Sequence, residues 1–136
     1  MYKRQDAPEV SLRPNAIVVD RVGVLANLYG LASVSFVGGG FHGRGLHSVL
    51  EPAAAESGVL FGPQHHSVRA AADLIDCGGA EAVQNVEELT EVTTAWLTDE
   101  ARRRAAGAAS GQYIQRNRGA ALRSATLLES LLRISR

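Results

Sequence analysis

Between Val37 and Pro63 the chain reads VGGGFHGRGLHSVLEPAAAESGVLFGP, and no other stretch restricts its choice of fold so strongly. An apolar, strand-like run (Val34, Phe36, Val37) enters a loop with glycine at positions 38, 39, 40, 43 and 45. An alanine-rich helical segment follows, and a second apolar run ends at Gly62 and Pro63. Strand, helix, strand in that order is a βαβ unit, which requires parallel strands. Where the chain leaves the sheet the glycines remove the side chains, so backbone N–H groups and a helix start can face a ligand directly. Binding of a small ligand at this turn is the leading expectation.

The remaining sequence supplies a sheet and its cover. Residues 1–15 carry two prolines, mixed charge and no periodicity, and read as a flexible lead-in or linker. Residues 16–136 read as one α/β domain with a single core. Ala16 to Val19 is a short buried-strand run, Val24 to Leu31 a helix, Ser33 to Val37 a strand, Ser48 to Glu56 a helix and Gly58 to Phe61 a buried strand. From Ser67, the set Val68, Ala71, Ala72 and Ile75 marks a helix closed by Gly78 and Gly79, and Ala82 to Gln84 is the last strand. Asn85 and Glu88 form an N-cap pair for a helix with Val86, Leu89, Val92 and Trp96 on one face. Thr98 is expected to cap the next helix, with Ala101, Ala105, Ala108, Ala109 and Tyr113 on its buried side; Gly119 interrupts it, and Ala121 to Ile134 forms a last, leucine-bearing helix. Alternating strands and helices imply a doubly wound parallel sheet, with the site at the carboxyl ends of the strands after Asp20, Val37 and Phe61.

Composition excludes several classes. The formal net charge is zero, so no whole-molecule field recommends nucleic acid as a partner. Arginines cluster at 102–104 and at 116, 118 and 123, as solvated helix faces or as an anion-binding surface. Cys77 is the single cysteine and cannot form an internal disulfide, which fits a reducing cytoplasm. No run approaches the length of a membrane-spanning helix. The spacing of His42, His47, His65 and His66 fits no closed zinc set, so no metal is expected.

Gly38, Gly40 and Gly43 fit G-x-G-x-x-G, yet Arg44 to His47 separate them from the helix and no acid ends the following strand, so the dinucleotide reading fails. No Lys-Ser or Lys-Thr follows the glycines, and the Walker reading fails too. What remains is a loop that delivers His47 and Ser48 to a helix start with Glu51 one turn in. Ser48 and Glu51 have capping-box spacing; alternatively the helix begins at Pro52 and leaves the Glu51 carboxylate free for ribose hydroxyls. Arg44 is the guanidinium within the loop, suited to an anionic ligand or simply solvated. There is no nucleophile elbow or carboxylate pair, so no catalytic residue is assigned and the chain carries a binding half only.

The runs VVDRVGVL, VGGG, FHGRGLHSVLEPAA and VLFGP together resemble the C-terminal, donor-binding half of the Kdo (3-deoxy-D-manno-octulosonic acid) transferases, glycosyltransferases of the two-Rossmann-domain GT-B type. The family pattern is approximately D-T-M-G-E-L, F-V-G-G-S, G-G-H-N-P-L-E-P-A and V-L-F-G-P. The resemblance implies a Rossmann-like domain that binds the CMP part of CMP-Kdo. Gly38, Gly39 and Gly40 would approach the donor, with Arg44 in the same loop; His47 and Ser48 would sit at its phosphate and sugar, Glu51 would hold the ribose, and Gly62 and Pro63 would form the facing wall. It further implies metal-independent and cofactor-free transfer of Kdo to a lipid A precursor in lipopolysaccharide biosynthesis, an acceptor-binding N-terminal domain carrying the base, and a place in the cytoplasm or peripheral to the inner membrane. A homodimer through the exposed inter-domain surface of the last helix is expected as well. Departures from the pattern include Arg21, Val22 and Val24 for Thr, Met and Glu, Leu46 for Gly, Ser48 for Asn, Val49 for Pro, Gln64 for His and Ser67 for Asn. A UDP-sugar enzyme and a non-catalytic nucleotide-sugar module are the competing readings.

Overall fold

The computed structural model describes residues 16–43 and 45–134, the side chains of 120, 121, 133 and 134 excepted. The proposed lead-in and Arg44 lie outside the described residues. In chain order the elements are α1 (Leu25–Tyr29), β1 (Val34–Val37), α2 (Leu50–Ala54), β2 (Gly58–Phe61), α3 (Arg69–Asp76), β3 (Ala80–Ala82), α4 (Val86–Thr98), α5 (Glu100–Asn117) and α6 (Ala120–Ile134).

The sheet is parallel in the order β1-β2-β3, with Val34 opposite Gly58, Val37 opposite Phe61, and Phe61 opposite Ala82. Every residue of the central strand β2 is buried, as expected of an apolar run covered on both faces. Its side chains alternate between two clusters. Val59 and Phe61 join Val37, Val49, Ala53, Ala71 and Leu74, the layer built by α2 and α3. Leu60 points the other way, against Trp96 and Ala106, with Val34, Leu89 and Val92 around them. Helices therefore flank both faces, as the alternating pattern requires.

Local chemistry sets the boundaries. Asn85 caps α4, its Oδ1 accepting from the Glu88 N–H at 2.8 Å, while Glu88 Oε2 accepts from the Gln84 N–H at 2.7 Å. Helix α3 ends in a Schellman motif: Gly78, at φ +79°, donates to Ile75 O and Gly79 donates to Leu74 O. Helix α2 ends the same way, with Ser57 donating to Pro52 O and Glu56 to Ala53 O, but there the left-handed position at φ +57° is held by Glu56.

Four expectations require correction. Ala16 to Val19 is not a strand: Ile17 and Val18 are 77% and 81% exposed, because no described strand lies beside them to take their backbone groups. The last strand is Ala80–Ala82, two residues earlier than expected, fixed by its pairing with Val59 to Phe61. The cap of α5 is Asp99, which accepts from the Arg102 N–H at 3.0 Å, whereas the Thr98 hydroxyl turns back to Thr94 O. The buried side of α5 is Ala106, Gly107, Ser110 and Gly111, while Ala101, Ala105 and Ala108 are exposed. A Cβ on Gly107 would stand 2.1 Å from Glu56 O, so the helix approaches the α2–β2 turn more closely than any side chain permits. Ser110 completes this seam by donating to Gly79 O at 2.9 Å.

Candidate functional site

Val37 and Phe61 are register partners, so the loops that leave β1 and β2 emerge side by side. They cross backbone on backbone. A Cβ on Gly40 would lie 2.7 Å from Gly62 N and one on Gly62 2.5 Å from Gly40 C, and the Gln64 N–H donates to Gly40 O at 2.8 Å. On the other side the His47 N–H donates to Gly38 O at 3.1 Å and closes the excursion 39–46. Gly39 stands at φ +92°, and a Cβ there would lie 2.2 Å from Gly45 O. Only glycine satisfies both demands. Gly43, by contrast, has nothing within 4 Å of its Cβ position.

The structure thus joins Gly38, Gly39 and His47 at one end of the loop and Gly40, Gly62 and Gln64 at the other, with Pro63 half-buried beside them. The imidazole of His47 lies over Gly38 and Gly39 and remains exposed, as do Ser48 and Glu51.

Helix α2 starts in neither of the two expected ways. Its N-cap is Val49, without a side-chain cap bond, so Ser48 and Glu51 form no capping box. The reason is burial: Val49 is 1% exposed and anchors the helix start in the core. Pro52 is the third helical residue, still inside the first turn where an N–H has no intrahelical acceptor, and the helix tolerates it there. The Glu51 carboxylate makes no hydrogen bond or ion pair among the described residues, and it is near enough to Tyr29 of α1 to act on it electrostatically. Burial, with the Glu51 carboxylate second, pushes the Tyr29 phenol above its usual range. Tyr29 was treated in the sequence as an apolar helix residue; its spacing from Glu51 carries no signal that could have paired them.

A second concavity lies on the α4 side of the sheet. Phe36 and Phe41, with ring centroids 6.2 Å apart, line a groove of about 450 Å³ with His42, Gln84, Asn85, Val86 and Leu89. Its walls are mostly apolar. His65 packs on Phe61 at 5.3 Å and on His66 at 4.6 Å. Among the described residues no group of three His, Cys, Asp or Glu side chains could hold a metal, and no helix is long and apolar enough to cross a membrane. The loop offers backbone N–H groups left bare by its glycines, with the His47 imidazole beside them, an arrangement that can receive an anion.

A parallel sheet with helices on both faces and a glycine crossing at its carboxyl edge is a Rossmann-like α/β arrangement. The crystal structure of the C-terminal CMP-Kdo binding domain of WaaA from Acinetobacter baumannii has this fold, with a TM-score of 0.66 and 24% identity, covering 71% of this chain and 51% of that one. By sequence the chain is similar to part of the 3-deoxy-D-manno-octulosonic acid transferases. It is 34% identical over 108 residues to the transferase of Chlamydia muridarum, spanning 79% of this chain and 24% of that protein. It is also 34% identical over 85 residues to that of Aquifex aeolicus, 61% of this chain and 24% of the relative. The chain spans about a quarter of the length of these relatives. No protein-family model matches it.

Proposed function

We propose that this domain, residues 16–136, binds the CMP moiety of CMP-Kdo and serves as the donor-binding half of a Kdo transferase. The observation that carries the reading is the pairing of a closed glycine loop with an uncommitted carboxylate. Gly38, Gly39 and Gly40 are held against His47 and Gly62 by backbone contacts, and Glu51 forms no cap that would occupy it. In this reading loop N–H groups receive the donor phosphate, His47 and Ser48 flank phosphate and sugar, Glu51 accepts from ribose hydroxyls, and Gly62 and Pro63 form the opposite wall; Arg44 belongs to the same loop. With five residues, α2 contributes its free first-turn N–H groups and little cumulative dipole.

In the whole enzyme those groups would stabilise the departing CMP phosphate without a metal or cofactor, and a base on an acceptor-binding N-terminal domain would activate a hydroxyl of a lipid A precursor. Such a reaction belongs in the cytoplasm, at the inner face of the inner membrane. The exposed leucines of α6 provide the surface for self-association or for the other half of the enzyme.

Calorimetric titration with CMP and UMP tests the donor site. CMP is expected to bind more tightly, and Glu51→Ala to weaken it about tenfold by removing a charge-assisted hydrogen bond. Absence of binding by either nucleotide at millimolar concentration would refute the reading, and a preference for UMP would replace CMP by a UDP-type donor.

A further inference from the structure

The turn that follows the glycine crossing carries a histidine with one ring nitrogen enclosed and the other left without a partner. His65 stands past the carboxyl end of β2, on the turn that begins at Gly62 and leads to α3. Its ring packs on Phe61, with centroids 5.3 Å apart, and on His66 at 4.6 Å. The backbone around it is tied down as well. The His65 N–H donates to Pro63 O at 3.0 Å, His65 O accepts from the Val68 N–H at 2.8 Å, and the Gln64 N–H reaches Gly40 O in the neighbouring loop. The sheet edge therefore places both the ring and the turn that bears it.

Phe61 fixes the side of the sheet on which that ring stands. It packs with Val37 and Val49, and the half-buried Leu46 joins them, so the ring lies over the layer built by α2 and α3. The excursion 39–46 returns to the same layer, since Val49 in its core starts α2. His65 thus faces the glycine loop from the β2 side, as His47 does from the β1 side.

The two ring nitrogens of His65 differ. Nδ1 is enclosed and has no hydrogen-bond partner. Nε2 makes no hydrogen bond among the described residues either, but it is not enclosed, and the residue is only half-buried. A neutral imidazole carries a single N–H, and placing it on Nδ1 would bury a donor with no acceptor. The proton belongs on Nε2, which then serves as a donor of fixed direction. Enclosing a polar atom without a partner costs stability, so the orientation it imposes calls for a use.

We propose that His65 is a further donor-binding residue, whose Nε2–H hydrogen-bonds the phosphate of the bound nucleotide from the side opposite the Gly38 to Gly40 backbone. The inference rests on the donor reading given above and adds a contact to it. A hydrogen bond to a charged oxygen is among the stronger ones, and its direction here is set before the ligand arrives.

Calorimetric titration of the parent protein, His65→Ala, His65→Asn and His65→Gln with CMP and with cytidine tests it. Glutamine carries its amide N–H near the place of Nε2, and asparagine near that of Nδ1. CMP is expected to bind about tenfold more weakly to His65→Ala and His65→Asn, and His65→Gln to recover most of the loss. Cytidine, which lacks the phosphate, should bind the parent protein and the variants alike. Long-range proton–nitrogen spectra of the parent protein should show the His65 proton on Nε2, with or without nucleotide. Unchanged CMP affinity in His65→Ala, an equal loss toward cytidine, or a proton on Nδ1 would each overturn this role and leave the donor site standing. A parent protein that binds no CMP would overturn the donor reading and this role together.

Discussion

The α5 seam and the β1–α2 loop both depend on glycine, and they use it for opposite reasons. In the seam, Gly107 and Gly58 make room for neighbours: a Cβ on Gly107 would stand 2.1 Å from Glu56 O, and one on Gly58 would stand 2.3 Å from the Trp96 ring. These residues sit inside the core, where nothing can move aside cheaply. In the loop, Gly39 combines a close approach with a left-handed backbone, while Gly43 and Gly45 face open space. The seam uses its glycines for close packing, whereas in the loop Gly45 needs glycine for its left-handed backbone at φ +92° and Gly43 alone of the two meets neither a steric nor a conformational demand. Substitution series across the two regions should separate these uses.

The largest effect is expected at Gly107. Alanine there forces α5 away from the α2–β2 turn and should cost about 3 kcal/mol, read as a lowered urea midpoint at constant slope. Valine should abolish the cooperative transition. If Gly107→Ala unfolds like the parent protein, the seam is looser than its geometry shows.

Next in size is Gly39→Ala, which combines a positive φ with the approach to Gly45 O and should cost about 2 kcal/mol, together with loss of CMP binding. Gly43→Ala is the control, with stability within about 0.5 kcal/mol of the parent. Equal costs at both positions would remove the distinction between the closed and the open part of the loop.

The same contrast shows what could be read from the chain. The βαβ unit was legible because its punctuation is local: apolar runs of strand length, glycines at the turn, and the Asn85–Glu88 cap all act within a few residues. The buried face of α5 was not. Alanine is a good helix former with little surface to hide, so periodicity picked out Ala101, Ala105 and Ala108, while the decisive term was how closely the helix meets Glu56 O, a contact more than forty positions away in sequence. The strand expected at Ala16 to Val19 failed for a related reason, since a strand exists only if a neighbour receives its hydrogen bonds. At the site, the glycines were legible and the helix start was not, because burial of Val49 outweighed the capping spacing of Ser48 and Glu51.

A gain is expected where the two Schellman turns differ. Gly78 closes α3 without strain, whereas Glu56 closes α2 at φ +57°. Glu56→Gly relieves a cost of about 1 kcal/mol for a left-handed side chain, offset in part by greater freedom of the unfolded chain and by lost contact with Gly111. The net expectation is a small rise in the urea midpoint. A fall of about 1 kcal/mol or more would mean that the packing of the Glu56 side chain along α5 outweighs its backbone strain.

The smallest effect belongs to Tyr29 and Glu51, where the loop meets α1. Burial and the nearby carboxylate both disfavour the phenolate, so Tyr29 titrates above the usual phenol range in the folded protein. A folded-state pKa raised above the unfolded one means that the folded state holds this proton more firmly. The associated stabilisation is complete below the unfolded phenol pKa, at about pH 10, and is lost as pH rises through the folded value. Glu51→Gln removes the second cause and leaves the first, so the Tyr29 phenol, followed by its ring carbon shift, should titrate lower but not fall to the ordinary value. Tyr113, raised by its own burial and by its 3.1 Å bond to Asp73, should not respond. If Tyr29 keeps its titration in Glu51→Gln, the carboxylate points away from α1. If CMP instead draws Glu51 to its ribose, saturating nucleotide should reproduce part of the Glu51→Gln shift in the parent protein, which ties the ribose role of this carboxylate to a measurement made on a different residue.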